Sequence, residues 1–219
     1  MPDDGAAERQ ALLTVLTTEH FTLQGARGST VSESTGRAAL FVGAVSSGLV
    51  ALGFVGRDPS NASTFDVFVL VVLPTLYALG LFTFVRLVLS SIEDLLYGRA
   101  INRIRQFYVD LAGEEGRRYI LLGAHDDPLG VLANMGIDRP SRWQLLFTLA
   151  TMVAVLNSVL AGCTAGFIAG LLGAPLAVDA VVGGIAFAAS WLMHSRWQAA
   201  IHRRAAAQRH VLSPSSDAG

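Results

Sequence analysis

Lysine is absent from this chain, and cysteine occurs once, at Cys163 inside an apolar run. A single thiol excludes an intrachain disulfide and any metal site of the Cys-x-x-Cys kind. Charge is scarce too. Only 15% of the residues are charged, against roughly 25% in soluble domains, while 52% are hydrophobic. A formal net charge of −1 supplies no basic field, so no nucleic-acid partner is expected. With all 16 basic residues arginine and with abundant Ala, Gly and Val, the composition reads as the product of a GC-rich bacterial coding sequence. The first ten residues are polar, with Asp3, Asp4 and Glu8. A secretory leader needs a basic start and an apolar core, so insertion is expected to depend on internal segments.

What the chain has instead of charge is long apolar runs. The first spans 38–56, between Arg37 and Arg57, and the second spans 67–85, between Asp66 and Arg86. Nineteen residues at 1.5 Å each reach about 28 Å, close to the hydrocarbon thickness of a bilayer. A third uncharged stretch, 143–178, would make a helix of about 54 Å, too long for one crossing. Gly173-Ala174-Pro175 divides it, because glycine ends helices and proline cannot continue one. The expected spans are therefore 38–56, 67–85, 145–169 and 176–195. The predicted class is an all-α integral membrane protein with four transmembrane helices and cytoplasmic helical extensions.

Arginine placement orients the spans. Arg9, Arg27 and Arg37 precede the first, eight lie between the second and third, and Arg196, Arg203, Arg204 and Arg209 follow the last. Only Arg57 lies on the other side. The positive-inside rule then puts both termini in the cytoplasm of a bacterial inner membrane. The chain divides into an N-terminal amphipathic helix (1–37), a first hairpin (38–86), a cytoplasmic helical loop (87–142), a second hairpin (143–195) and a C-terminal tail (196–219). Asn61-Ala62-Ser63 matches a glycosylation sequon by chance.

The cytoplasmic segments read as helical. Leu12, Leu13, Leu16, His20 and Leu23 fall at helical spacing, giving a stripe for packing on protein or, alternatively, on lipid. Gly25, Gly28 and Gly36 invite a break before the membrane. From Leu87 the second helix is expected to continue to Leu111, and a short helix is expected to start at Glu114 beyond Gly113. Arg99, Arg103 and Arg105 form a basic ladder that retains topology or touches lipid headgroups, worth about 1 kcal/mol each near the surface. His125-Asp126-Asp127-Pro128 reads as turn and N-cap chemistry rather than a metal cluster. Neither a metal nor a cofactor is expected.

Within the spans, Gly162, Gly166 and Gly170 repeat every four residues, as do Ala180, Gly184 and Ala188, with a shorter pair at Gly43 and Ser47. Such strips let helix backbones approach closely. The two hairpin strips can satisfy each other within one chain, or form a homo-oligomer interface. Pro74 should kink the second span, with Thr75 near enough to serve the freed carbonyl. Asp179 and His194 fall at opposite ends of the fourth span, and Asn157 and Ser158 are the deepest polar residues of the third. The scarcity of ionisable residues argues against a proton-coupled transporter. Glu19, His20, His125 and Asp127 are the candidates for an enzyme acting on lipid, and none has a recognisable spacing.

The block from Thr14 to Arg27, with Thr18, Glu19, His20 and Phe21, followed by Ser32-Glu33-Ser34-Thr35-Gly36-Arg37, resembles the start of uncharacterised multi-pass membrane proteins of high-GC bacteria over residues 14–56. It is also faintly similar to anti-phage membrane effectors of the Pycsar and SLATT type, with Glu33 and Arg37 in the acidic and basic positions before a small-residue span. The first resemblance implies no activity, and the second implies membrane perturbation. The expected function is a non-enzymatic, self-associating scaffold or sensor whose partners are the lipid bilayer, further copies of itself and a cytoplasmic protein. The alternative is a small oligomeric channel or membrane-perturbing effector, with a pore lined by Ser, Thr, Asn157 and glycine carbonyls.

Overall fold

The computed structural model describes residues 4–57, 60, 62–116, 118–119, 122–123, 125–137 and 148–207. Among these the long regular elements are all helices: α1 (Asp4–Val55), α2 (Ala62–Gly116), α3 (Pro128–Ala133), α4 (Leu149–Leu171) and α5 (Leu176–Ala207). No described residue is in a strand. Helices α1, α2, α4 and α5 are each long and apolar enough to cross a membrane. Asn61, Arg117, Arg139, Arg142, the start of the third expected span at 145–147 and the tail from 208 lie outside the described residues.

The chain divides into two compact units. One joins Met1–Ser34 to Leu89–Leu145, and the other joins Thr35–Val88 to Leu146–Gly219. Both draw on α1 and α2. The expected break at Gly25, Gly28 or Gly36 does not occur, since α1 runs unbroken for 52 residues. A side chain at any of these glycines would meet nothing within 4 Å, so the only cost of each is its propensity, about 1 kcal/mol against alanine.

The apolar unit is packed from rows that fall on one side of each helix. Ala38, Phe41 and Val45 face inward from α1, Val69, Leu73, Leu76, Phe84 and Leu87 from α2, and Ala150, Val153, Ala154 and Leu160 from α4. Recurrence near the helical period keeps one face of each helix in this core. Helix α4 opens on Thr148, whose side chain accepts from the Thr151 N–H. It closes where the sequence marks a stop: Gly173 takes φ 84°, its N–H donates to the Gly170 carbonyl, and the Ala174 N–H donates to the Ala169 carbonyl. Those two bonds satisfy carbonyls that a helix end leaves open, and Pro175 then precedes α5. Pro74 sits within α2, whose backbone stays helical there. The Thr75 hydroxyl donates to the Val71 carbonyl at 2.7 Å, one residue away from the Leu70 carbonyl that proline leaves without its N–H partner.

The polar unit consists of the first part of α1, the last part of α2 and the chain after α2. Leu13, Leu16, His20 and Leu23 are partly covered along α1, as the stripe predicts, whereas Leu12 is 45% exposed. The covering partner is the chain's own α2: the Tyr108 hydroxyl lies 3.5 Å from Thr17 Oγ1, and its ring meets His20 edge-on. Gly113, with φ 62° and ψ −154°, interrupts α2 in a region that only glycine adopts freely. Beyond this kink helix continues from Glu114 to Gly116, and the Arg118 and Tyr119 N–H groups donate to the Glu115 and Gly116 carbonyls. Arg117, Ile120 and Leu121, on which the rest of the expected short helix falls, lie outside the described residues. Helix α3 begins as the Asp-Pro pair predicts, with Asp127 as N-cap accepting from the Gly130 N–H at 2.8 Å.

Gly98 is where α3 presses on α2. A Cβ there would stand 2.7 Å from Cγ1 of the buried Val131. Gly98→Val is expected to lower the stability of the polar unit by about 1–3 kcal/mol through overpacking. Hydrogen exchange at the Val131 amide is the measurement that checks it.

Candidate functional site

In the polar unit the basic ladder turns toward the chain itself. Arg99 Nε donates to the Asp126 carbonyl at 2.5 Å. Arg103 grips one Asp126 carboxylate oxygen with Nε at 3.0 Å and Nη2 at 2.7 Å. Arg105 reaches the Asn102 side-chain oxygen at 3.0 Å and the Gly123 carbonyl at 3.3 Å. Through these bonds the three guanidinium groups hold Asp126 and Gly123 against α2.

Asn102 is the hub of this arrangement and is 3% exposed. Its amide nitrogen donates to the His125 carbonyl at 2.8 Å, and its oxygen accepts from Arg105 and from the Asn134 amide. Asn134 also donates to the Gly123 carbonyl at 2.9 Å. Every polar atom of the Asn102 side chain is therefore used on the 123–134 segment or on Arg105. Beside it Arg103, Gln106, His125, Asp126 and Asp127 line an open polar recess of about 360 Å³. Lower on α2, Arg27 clamps Asp94 through two bonds, at 2.7 and 3.2 Å. Asp94→Asn removes the carboxylate charge from this partly covered pair. It is expected to cost about 1.5–3 kcal/mol, read as earlier urea unfolding of the polar unit.

His20 completes the contact of α1 with α2. Gln24 Nε2 lies 2.8 Å from His20 Nε2, and an amide nitrogen only donates, so Nε2 is the acceptor and Nδ1 carries the hydrogen. That Nδ1 is buried and has no partner among the described residues. Burial, and after it the positive charge of Arg105, hold the His20 imidazole below its ordinary value. Arg105 is itself lowered by burial and by Arg27, and as a guanidinium it stays charged at neutral pH.

The apolar unit contains a second polar cluster, wholly enclosed. Asn157 and Ser158 are 0% exposed and His194 is 1% exposed. His194, at the end of the fourth expected span, thus lies inside the unit. Its Nδ1 is 2.7 Å from the Ser190 carbonyl and its Nε2 is 3.3 Å from the Asn157 amide nitrogen. Ser158 Oγ donates to the Ala154 carbonyl at 2.7 Å and lies 3.2 Å from Ser190 Oγ. The Phe84 ring covers the imidazole edge-on at 4.5 Å. Gly80 makes room for the Asn157 amide, since a side chain there would overlap it and the Phe41 ring.

The small-residue strips resolve differently from their spacing. Gly162 and Gly166 do form a close approach, but to Gly183 and Asp179: a Cβ at Gly162 would lie 2.8 Å from the Gly183 carbonyl oxygen, and one at Gly166 3.0 Å from that of Asp179. At Gly170 the Asp179 carboxylate fills the space, 3.0 Å away. Ala180, Gly184 and Ala188 are exposed, and a side chain at Gly184 would meet nothing within 4 Å. Helix α5 is rotated one residue, about 100°, from the phase in which the two strips would meet. The same holds on α1. Gly43 and Ser47 are exposed, and the close approach is at Gly48, beside Leu76 and Val72 of α2.

Asn102, Asp94 and Asn134 went unmarked in the sequence. The one available signal was an asparagine inside a helical stretch, where its propensity is poor. No known protein family, curated protein or solved structure matches this chain.

Proposed function

We propose that the chain is a non-enzymatic bacterial inner-membrane protein that self-associates in the bilayer and presents its polar unit to a cytoplasmic protein partner, as a scaffold or sensor. The observation that carries this reading is the open strip Ala180–Gly184–Ala188, beside a face of α5 already occupied by α4. Lipid tails are as apolar as leucine, so helices associate in a bilayer where small residues let backbones meet. The arginine distribution supports a cytoplasmic polar unit. Asn157 and Ser158, on which an oligomeric pore would draw, are turned into the chain's own interior, and this favours a scaffold over a channel.

Cysteine cross-linking in native membranes tests it. With Cys163 replaced by Ser, Gly184→Cys is expected to give a covalent dimer, and Val155→Cys on exposed α4 surface is not. Cross-linking at 155 with none at 184 contradicts the assigned face. A periplasm-active reporter fused after Arg105 is expected to stay silent, and activity there overturns the orientation.

A further inference from the structure

The sensor reading leaves the trigger open, and the polar unit contains a group placed to supply one. His20 sits where α1 meets α2, its ring edge-on to Tyr108 at 5.8 Å. Its Nε2 accepts the Gln24 amide hydrogen, and its Nδ1 is sealed without a partner. From α2 the groups facing it are the Arg105 guanidinium and the Tyr108 phenol. Arg27 of α1 stands near Arg105, and Glu19, next in sequence, is exposed. No carboxylate bonds to the imidazole among the described residues.

We propose that His20 is a proton-operated latch: proton uptake at Nε2 releases the N-terminal stretch of α1 from the end of α2. The added hydrogen occupies the lone pair that now accepts from Gln24, so the exposed Gln24 amide must turn its oxygen to the ring or lose the bond. It also creates an imidazolium beside Arg105, while Nδ1–H of the charged ring stays buried without an acceptor among the described residues. The like charges and the buried unpaired N–H oppose the closed arrangement. The Arg27–Asp94 clamp lies further along α1 and does not involve His20, so opening is confined to the segment before it. The direction of titration agrees. A base held below its ordinary value binds fewer protons closed than open, so the closed form is favoured above about pH 6.5 and loses ground as pH falls below it. The inference rests on the sensor reading for its purpose and on the geometry of the polar unit alone for its operation.

The experiment uses the full chain in nanodiscs, with Cys163 replaced by Ser and pairs of nitroxide labels read by dipolar spectroscopy between pH 8 and 5. The pair Leu12→Cys with Leu111→Cys spans the latch, and Val31→Cys with Leu89→Cys lies beyond the clamp. The expected result is a lengthened and broadened distance for the first pair below about pH 6.5, an unchanged distance for the second, and no pH response of either in His20→Phe. An NMR titration of the His20 ring in the unsubstituted protein should share the midpoint of the distance change. A first-pair distance that ignores pH, opening that persists in His20→Phe, or midpoints that disagree overturns the latch. Failure of the self-association reading registers in the assembly mass instead and leaves the distance series untouched.

Discussion

Gly183→Leu is expected to separate α4 from α5, while Gly184→Leu leaves the isolated chain as stable as before. At position 183 a Cβ would stand 2.9 Å from the Gly162 carbonyl oxygen and 3.8 Å from the Gly166 Cα. Those are backbone atoms in the middle of a helix, and no rotamer change moves them away. Relief requires the two helices to part along the contact, which also disturbs the Ser158–Ser190 and Asn157–His194 pairs. A loss of about 3 kcal/mol or more is expected, at the upper end of overpacking costs. At 184 a side chain enters open space, and a change within about 0.5 kcal/mol is expected in the monomer. Unfolding in SDS followed by tryptophan fluorescence separates the two. Equal loss in both variants contradicts the assigned phase of α5.

Asn102→Leu is expected to free the 123–134 segment from α2. The substitution removes three hydrogen bonds at once and leaves the His125 carbonyl and part of the Arg105 and Asn134 donor sets without partners. Stranding a buried polar group costs about 1–3 kcal/mol, so a loss near 3 kcal/mol is expected, which is a change of about 100-fold in local opening. Hydrogen exchange of the Val131 and Asn134 amides reads it. Arg103→Ala removes a more exposed pair with Asp126, whose side chains are 63% and 40% accessible, and should cost no more than about 1 kcal/mol. If the two substitutions accelerate exchange equally, Asn102 is not the hub.

The all-helical class and the four long apolar helices were legible because they rest on local rules. Run length marks a helix that can cross a bilayer, and Gly173 followed by Pro175 marks a stop. The Asp127 cap and the Gly113 break were legible for the same reason, since each depends on the conformational range of one residue. The partner of each face was not legible. A glycine repeat says that one side of a helix is small, but the phase of α5 goes with Ser190 and His194 meeting Ser158 and Asn157 of α4 and with His194 under Phe84 of α2. The intrachain partners of the arginine ladder were equally hidden: its acceptors include the Asp126 carbonyl and carboxylate and the Gly123 carbonyl, 18 to 27 residues away in sequence. The Asn157–His194 pair, 37 residues apart, has no local trace at all.

The first measurement to make is the mass of the protein in nanodiscs, wild type beside Gly184→Leu. A defined oligomer in the wild type and a folded monomer in the variant is the expected result, since the substitution fills the open strip and leaves the α4 contact alone. A wild-type monomer, or an oligomer that Gly184→Leu does not disturb, contradicts self-association through this face of α5.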